Sequence, residues 1–342
     1  MEITTKLGNT QLLIYIPCHL DYDMAFENIA RIRGQHDRNL RGSNSSTLQI
    51  KIALSVNGAS LNDQEKQKLN CAVDFFTHFN ENIGADTNIN LGFLKALEVS
   101  PTHFWILSAN EHLVENAIEN IDKCISDFPE SDLFITNSLN RFSTFEVKNV
   151  FTGIPTGLST GLISGVIYNF TTMKSSFSAG PRFSWTGWGQ LAVIQYGCQI
   201  RGSLLVTELP DSNLYEKPYT FLNGESISSE FEVVRKNYAH SFFGMVLLIF
   251  ALFSRDHESR NLAIRSWVRK NWYKIAYFKV GTHLKYNKTS PQFDLLWVQD
   301  LALRILRTSG FVSRFLTEIG LIIRAEKWRK SSTLTKVKKS IK

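Results

Sequence analysis

The sequence predicts an α/β fold with a mostly parallel β-sheet and flanking helices, followed by a helical, basic C-terminal region. Over residues 1–140, short apolar runs alternate with segments of helical periodicity, which is typical of parallel sheets with crossover helices. Charge divides the chain: residues 1–150 carry 12 Lys and Arg against 19 Asp and Glu, whereas residues 255–342 carry 20 against 6. We therefore expect an α/β domain over residues 1–235 and a helical region over residues 236–342.

Each predicted element has its own signal. Apolar runs bounded by polar residues predict four strands, and apolar residues three or four apart predict the helices between them. An Asn or Asp before the second helix suits its cap, and Gly34 suits the end of the first. The predicted strands are Leu12–Pro17, Leu48–Gly58, His103–Ala109 and Asp132–Leu139, and the predicted helices are Asp21–Gly34, Asn62–Phe79, Leu91–Ser100 and Glu111–Phe128.

Ligands of open α/β sheets bind outside the carboxyl ends of the strands. The polar residues that follow the predicted strands are therefore the place to look for a site. They are Pro17 to His19, Asn57 with Gly58, and Ser108 to Glu111.

The stretch NIGADTNINLG, residues 82–92, contains two Asn-x-Gly units and predicts an amide-rich loop that leads into a helix. Together with LLIYIPCHLD, SVNGAS, GLISGVIYN and WTGWGQLAVIQYG, this spacing resembles family 2 type glycosyltransferases of the GT-A fold from bacterial surface polysaccharide pathways. The resemblance implies that a nucleoside diphosphate sugar binds across the strand ends. The residues expected to bind it are Pro17, Asn57, Asn82, Gly84, Asn90 and Arg182. Taken singly, Asn82 and Asn90 also suit a turn and a cap.

The resembling family carries two acids at its metal motif, and this chain departs from that pattern. Ser108 and Asn110 stand at the two positions, followed by Glu111. One carboxylate and one amide oxygen, from Glu111 and Asn110, are candidate ligands for Mg²⁺ or Mn²⁺. Alternatively, Glu111 caps the helix that follows, and a metal-independent enzyme would use a cation such as Arg182 for the diphosphate.

The catalytic base is a second departure. The segment TGWGQ, where the resembling family places an acid, offers Trp188 and Gln190. Sugar transfer needs a group that takes the proton of the acceptor hydroxyl. Glu111 and His112 are the predicted catalytic residues, and His19 and Glu208 are further candidates. Trp185 and Trp188 are predicted to stack on an acceptor sugar, with packing in the core as the alternative.

The basic region predicts a partner with negative charge. Its helices combine Leu, Ile, Phe and Trp faces with Lys and Arg, a composition typical of helices on an anionic membrane surface; packing with a solvated basic face is the alternative. The run Phe242–Phe253 is too short to span a bilayer, which takes about 20 residues. No nucleic-acid motif is present in the sequence, so nucleic acid is not expected as a partner.

These observations and the resemblance predict an inverting glycosyltransferase, in O-antigen or capsule synthesis, that acts on a lipid-linked saccharide acceptor. The alternative is a non-catalytic binding protein that docks on the membrane beside an active transferase. The polar N-terminus has no apolar segment like that of a signal peptide, and four scattered cysteines suggest reduced core thiols. We therefore expect a cytoplasmic protein at the inner face of the plasma membrane.

Overall fold

A computed structural model shows an eight-stranded mixed sheet with helices on both faces. In the described part of the chain the strand order is β3-β2-β1-β4-β7-β5-β8-β6. Strands β1 to β4 pair in parallel, β5 pairs in parallel with β8, and β6 and β7 pair antiparallel to their neighbours. The structure describes residues 10–19, 22–42, 48–137, 142–154, 163–216 and 244–267.

The strands are short, as expected for a crossover-connected sheet. They are β1 (Gln11–His19), β2 (Gln49–Asn57), β3 (Phe75–Phe79), β4 (His103–Ile106), β5 (Leu133–Asn137), β6 (Thr144–Val147), β7 (Val166–Asn169) and β8 (Leu204–Pro210).

The helices fall into long crossover helices and short turns of helix. They are α1 (Tyr22–Gly42), α2 (Asp63–Ala72), α3 (Ala85–Val99), α4 (Ala117–Asp127), α5 (Val150–Gly153), α6 (Phe170–Met173), α7 (Ala179–Phe183), α8 (Gly189–Arg201), α9 (244–252) and α10 (257–267).

Alternation along β1 divides the core between the two faces of the sheet. Leu13 and Tyr15 pack on the face covered by α3, α8 and α9, whereas Leu12, Ile14 and Ile16 pack on the face covered by α1 and α4. Successive side chains of a strand point to opposite faces, so a strand buried on both faces is apolar at nearly every position. The predicted α/β class with a mostly parallel sheet is confirmed.

The prediction of one helix over Asn62–Phe79 is wrong, because the chain forms α2 and then the edge strand β3. Asp74, between them, accepts hydrogen bonds from the backbone N of Ile52 at 2.9 Å, from Lys51 Nζ at 2.9 Å and from an Arg33 guanidinium nitrogen at 2.6 Å. Burial opposes the charged form of Asp74, but these contacts together hold its pKa below its usual range. Contacts from β2 and α1 thus fix the start of β3.

Two predicted helix boundaries also differ. Helix α1 continues through Gly34, where nothing lies within 4 Å of an added Cβ, and ends at Gly42. Helix α4 begins at Ala117 with Asn116 as its N-cap, not at Glu111. A helix that packs along a sheet tolerates an internal glycine, since the burial of its apolar face outweighs a cost of about 1 kcal/mol.

The apolar run Phe242–Phe253, as far as the structure describes it, is α9 and lies in the core. Met245, Leu248, Ile249 and Phe253 join the main cluster, and Val246, Leu247 and Phe250 pack against Trp185, Ile264 and Trp267. Within the described ranges, no helix has both the length and the apolar character needed to cross a membrane. Residues 268–342, where most of the predicted membrane-binding helices fall, lie outside the described part.

The thiols follow the prediction in part. Cys18, Cys124 and Cys198 are buried, and burial raises the pKa of Cys124 and of Cys198 to about 12. Cys71, in α2, is exposed, so the prediction of a core thiol is wrong there.

Candidate active site

Strands β1, β2 and β4 end together at one edge of the sheet, called here the carboxyl edge. His19 lies opposite Asn57 in the register of β1 and β2, and the backbone N of Leu107 donates to Tyr15 O at 2.9 Å. Pro17 lies opposite Ser55 on the neighbouring strand. The polar residues predicted after three separate strands are therefore neighbours in space.

An amide network fixes the turn that follows β3. The side chain of Asn57 is buried; its Nδ2 donates to Asn82 Oδ1 at 3.2 Å, and its Oδ1 accepts from the backbone N of Ile83 at 2.8 Å. Asn82 Oδ1 also accepts from the backbone N of Gly84 at 2.8 Å. Gly84 has φ +86° and precedes α3, a conformation that favours glycine. The Asn57 side chain thus braces the turn, and its contact with a nucleoside diphosphate sugar stays a prediction.

His19 lies at the outer edge of this network. Its Nδ1 lies 2.8 Å from the carbonyl oxygen of Asn57. A carbonyl oxygen only accepts, so Nδ1 carries a proton and, in the neutral ring, Nε2 is left as an acceptor. Gly58, at φ +78°, brings the chain back so closely that an added Cβ would lie 3.3 Å from His19 Cε1. His19, Asn57 and Asn82 therefore form one rigid rim.

Asn88, which the sequence pattern did not predict as a site residue, holds α3 to the sheet just below this rim. Its Nδ2 lies 3.2 Å from Cys18 O and 3.3 Å from Ser55 O, and its Oδ1 accepts from Ser55 Oγ at 2.5 Å. Tyr15 donates its hydroxyl to Asn88 O at 2.8 Å, and burial raises the pKa of Tyr15, which keeps the phenol protonated. The sequence signal for this role is a polar residue, Asn88, that lies four positions after Gly84 inside an apolar helical pattern.

Asn90 and Gly92 lie inside α3, so the predicted loop over residues 82–92 is wrong beyond Gly84. Asn90 is buried; its Nδ2 donates to Asp86 O at 2.7 Å, and its Oδ1 has no hydrogen-bond partner among the described residues. An added Cβ at Gly92 would lie 2.7 Å from Tyr15 Cδ1. Gly92 therefore permits close packing of α3 on β1.

The loop after β4 carries the predicted metal and catalytic residues. Ser108 donates its backbone N to Ser164 Oγ at 2.9 Å, and Asn28 Nδ2 donates to Ala109 O at 2.7 Å. Asn110 and His112 are exposed, whereas Glu111 is 8% exposed. The alternative that Glu111 caps α4 is wrong, because that helix begins at Ala117.

The Asn110 and Glu111 side chains do not suit one metal ion. A divalent hard cation needs several oxygen ligands that converge on one point. Here the amide is exposed while the carboxylate is buried, and within the described ranges no three His, Cys, Asp or Glu side chains come together. We therefore assign no chemical step to a metal, and metal binding by Asn110 and Glu111 stays a prediction.

The segment from α7 to α8 lies beside the first turns of α3. Arg182 is exposed, with its guanidinium 5.5 Å from the ring centre of Phe183. Trp185 donates Nε1 to Arg182 O at 3.1 Å and packs against α9. Trp188 is half-buried, packs on the main core and is the N-cap residue of α8. Both indoles thus have packing roles, and stacking on an acceptor sugar stays a prediction.

Glu208 lies on β8, away from the carboxyl edge of β1 and β2. Its side chain is fully buried and accepts a hydrogen bond from the Ser143 hydroxyl. Water and an acceptor hydroxyl do not reach a carboxylate in that position. The structure therefore does not favour Glu208 as a base.

Comparison with solved structures finds proteins that share this fold. Residues 1–349 of TarS from S. aureus, in complex with UDP-GlcNAc, match with a TM-score of 0.53 and 13% identity, over 86% of this chain and 80% of that chain. A longer S. aureus TarS structure matches with a TM-score of 0.51 and 12% identity, over 88% of this chain and 50% of that chain. At such identities the likeness shows the fold, and the predicted GT-A-like α/β architecture is confirmed.

No protein-family model matches the chain, and no curated protein sequence matches it significantly.

Proposed function

We propose that the chain is a glycosyltransferase that moves a sugar from a nucleoside diphosphate sugar to a hydroxyl group of an acceptor. The observation that carries this proposal is the rigid rim of His19, Asn57 and Asn82 at the carboxyl edge of a GT-A-like sheet. Open α/β sheets bind their ligands at such an edge. One solved structure with the same fold, that of TarS residues 1–349, was determined with UDP-GlcNAc, a donor of this class.

Each part of the site has a role in this proposal. The nucleoside lies against the rim, where the half-buried Pro17 and the exposed side chains of His19 and Asn82 provide contacts. Arg182 supplies positive charge for the leaving diphosphate, since a guanidinium matches phosphate geometry. Trp185 and Trp188 border the acceptor. The acceptor oxygen attacks the anomeric carbon in a single displacement, which inverts that centre.

The finer proposal is a lipid-linked saccharide acceptor in bacterial O-antigen or capsule synthesis. Its support is the balance of 20 basic against 6 acidic residues in positions 255–342, which suits an anionic membrane surface. Helix α9 is buried in the core, so attachment would depend on residues after 267. Co-sedimentation with anionic vesicles tests this: at low salt the full chain should pellet, and about 0.5 M salt should release part of it, because salt screens surface charge.

The alternative is a GT-A-like protein that binds a nucleotide sugar without turning it over. Ser108, Asn110 and Gln190 favour it, since they stand where the resembling family has acids. Such a protein would be thermally stabilised by a donor and would release no nucleoside diphosphate from it. Turnover thus separates the two proposals.

A panel of nucleotide sugars tests the function, with UDP-GlcNAc first and GDP-, dTDP- and CDP-sugars after it. A donor at 100 times its dissociation constant should stabilise the fold by about 2.7 kcal/mol, and nucleoside diphosphate should then appear over time. Asn82→Ala should weaken the donor's effect. Asn116→Ala is the matched control, because Asn116 is also exposed before a helix and makes no side-chain cap bond. Absence of any thermal shift would refute both proposals.

A further inference from the structure

The first turn of α8, where the resembling family places an acid, has no acidic residue. The proposed reaction still needs a proton acceptor. Trp188 precedes the helix, and Gln190 in its first turn is only 7% exposed. An amide does not act as a general base. A base for this part of the site must therefore come from another element.

Helix α3 meets this segment through its glycines. Any Cβ at Gly189 would overlap Asn90 Oδ1 and lie 2.7 Å from Gly180 O. Gly187, at φ +75°, has Asp86 as its nearest neighbour, with Oδ2 3.5 Å and Oδ1 3.7 Å from an added Cβ. Three glycines thus bring the backbone of residues 180–189 against one face of α3, and the Asp86 carboxylate lies at that contact.

Asp86 has the position and the charge of a proton acceptor. It lies in the first turn of α3, two residues after Gly84, and is half-buried. Asn90, one turn later, donates Nδ2 to Asp86 O at 2.7 Å and so ties the first turn to the helix body. The positive end of a helix dipole stabilises a carboxylate there. That same negative charge makes this helix end unsuitable for a phosphate.

We propose that Asp86 is the general base of the sugar transfer, an inference that rests on the proposed function. The acceptor oxygen forms a bond to the anomeric carbon while the bond from that carbon to the diphosphate oxygen breaks. The bonding pair leaves with the nucleoside diphosphate, and the hydroxyl proton passes to an Asp86 carboxylate oxygen. No oxidant or further reactant is required.

Three of the other predicted bases, Glu208, Glu111 and His112, are placed less well. Glu208 is fully buried on β8, and Glu111 is 8% exposed in the loop after β4. His112 is exposed, and its carbonyl accepts from the backbone N of Glu216 at 2.8 Å, which places it beside the segment after β8. Asp86, by contrast, touches the segment that carries Trp185 and Trp188.

The test compares Asp86→Asn with Asp63→Asn, using the donor that wild type turns over fastest and water or a simple glycoside as acceptor. Asp63 is the matched control, because it is an exposed acid in the first turn of α2. Asp86→Asn should lower turnover by about a hundredfold to ten-thousandfold, with the donor's thermal shift retained. Asp63→Asn should keep turnover. In Asp86→Ala, added formate should restore part of the rate, which a merely structural role would not allow.

The outcomes separate this inference from the proposed function. Turnover of Asp86→Asn within about threefold of wild type would overturn the role of Asp86 and leave the transferase intact. Loss of the donor's thermal shift together with turnover would assign Asp86 to donor binding, and would also overturn its role as base. A wild-type protein that releases no nucleoside diphosphate from any donor of the panel would refute both.

Discussion

At the amino ends of the parallel strands, polar side chains tie strands to strands, whereas at the carboxyl edge Asn57 and Asn82 tie a strand to a loop. Asp132, before β5, accepts from the backbone N of Leu205 at 2.9 Å and pairs with Arg201 at 3.3 Å. Thr102 Oγ1 accepts from the backbone N of Gln11 at 2.8 Å. At the carboxyl edge, Asn57 and Asn82 instead fix a turn whose outer side is exposed.

The difference teaches how to separate structural from functional polar residues in this sheet. A side chain whose hydrogen bonds go to neighbouring strands holds the strand ends together. A side chain whose hydrogen bonds go to a loop backbone gives the loop a fixed shape and leaves other groups of that loop available to a ligand. Four predictions, from the largest expected effect to the smallest, test this distinction.

Asn88→Ala should have the largest effect on stability. It removes the hydrogen bonds to Cys18 O, Ser55 O and Ser55 Oγ and leaves buried groups unsatisfied, so we expect a loss of about 4 kcal/mol in the free energy of unfolding. Asn90→Ala, the matched control in the same helix, removes one bond to Asp86 O and should cost about 1 kcal/mol. Urea denaturation measures both. Equal losses would refute the distinction between the two asparagines.

His103 should make the amino end of the sheet sensitive to acid. Burial lowers the pKa of His103 from 6.5 to about 4. The unfolded chain therefore takes up a proton on this imidazole at a higher pH than the folded chain does. The neutral, buried His103 contributes fully to the free energy of unfolding above pH 6.5, and this contribution falls as the pH drops towards 4. The loss is about 3 kcal/mol. His103→Phe should remove this part of the pH dependence of the unfolding free energy, while donor binding persists; an unchanged pH profile would contradict the assignment.

Gly84→Ala tests the shape of the turn rather than its contacts. Nothing lies within 4 Å of an added Cβ at Gly84, but its φ of +86° is strained for alanine. We expect a loss of about 2 kcal/mol in stability and weaker donor binding. Gly34→Ala is the control, because nothing lies within 4 Å there either and its backbone is helical; it should stabilise by about 0.5–1 kcal/mol. Thermal unfolding with and without UDP-GlcNAc measures both.

Chelation should have the smallest effect. Because the Asn110 and Glu111 side chains do not suit one ion, excess EDTA should leave donor turnover within about twofold of its value in buffer alone. Abolished turnover, restored by Mg²⁺ or Mn²⁺, would instead support the two residues as metal ligands. Glu111→Gln then shows whether that carboxylate is involved, since it should lose the response to metal.

Local signals predicted β1 and β2, because each is a sustained apolar pattern with a clear boundary. They failed at β3, whose start depends on Asp74 and its contacts with Arg33, Lys51 and Ile52, residues far away in the sequence. Helical periodicity in residues 62–72 extended the predicted helix too far. A short edge strand contributes little pattern of its own, and tertiary contacts decide its conformation.

The candidate site shows the same division. Spacing between Asn and Gly located the turn at Asn82 and Gly84 correctly, since turn chemistry is local. The same spacing placed Asn90 and Gly92 in the loop, whereas the structure places both inside α3, where Gly92 packs on Tyr15 and Asn88 makes the contacts with the sheet. Sequence spacing did not predict Asp86 as a site residue, because its contact with Gly187 joins segments about a hundred residues apart.

Gly244 at the start of α9 has a mechanical consequence. An added Cβ there would overlap Thr186 O, so the helix backbone bears directly on the turn that precedes Gly187. Trp185 is wedged against the same helix beside Val246 and Phe250. A displacement of α9 would therefore be transmitted directly to the turn at residues 184–187. In hydrogen-exchange experiments, the amides of that turn and of α9 should exchange at a common rate, because the two segments should open together.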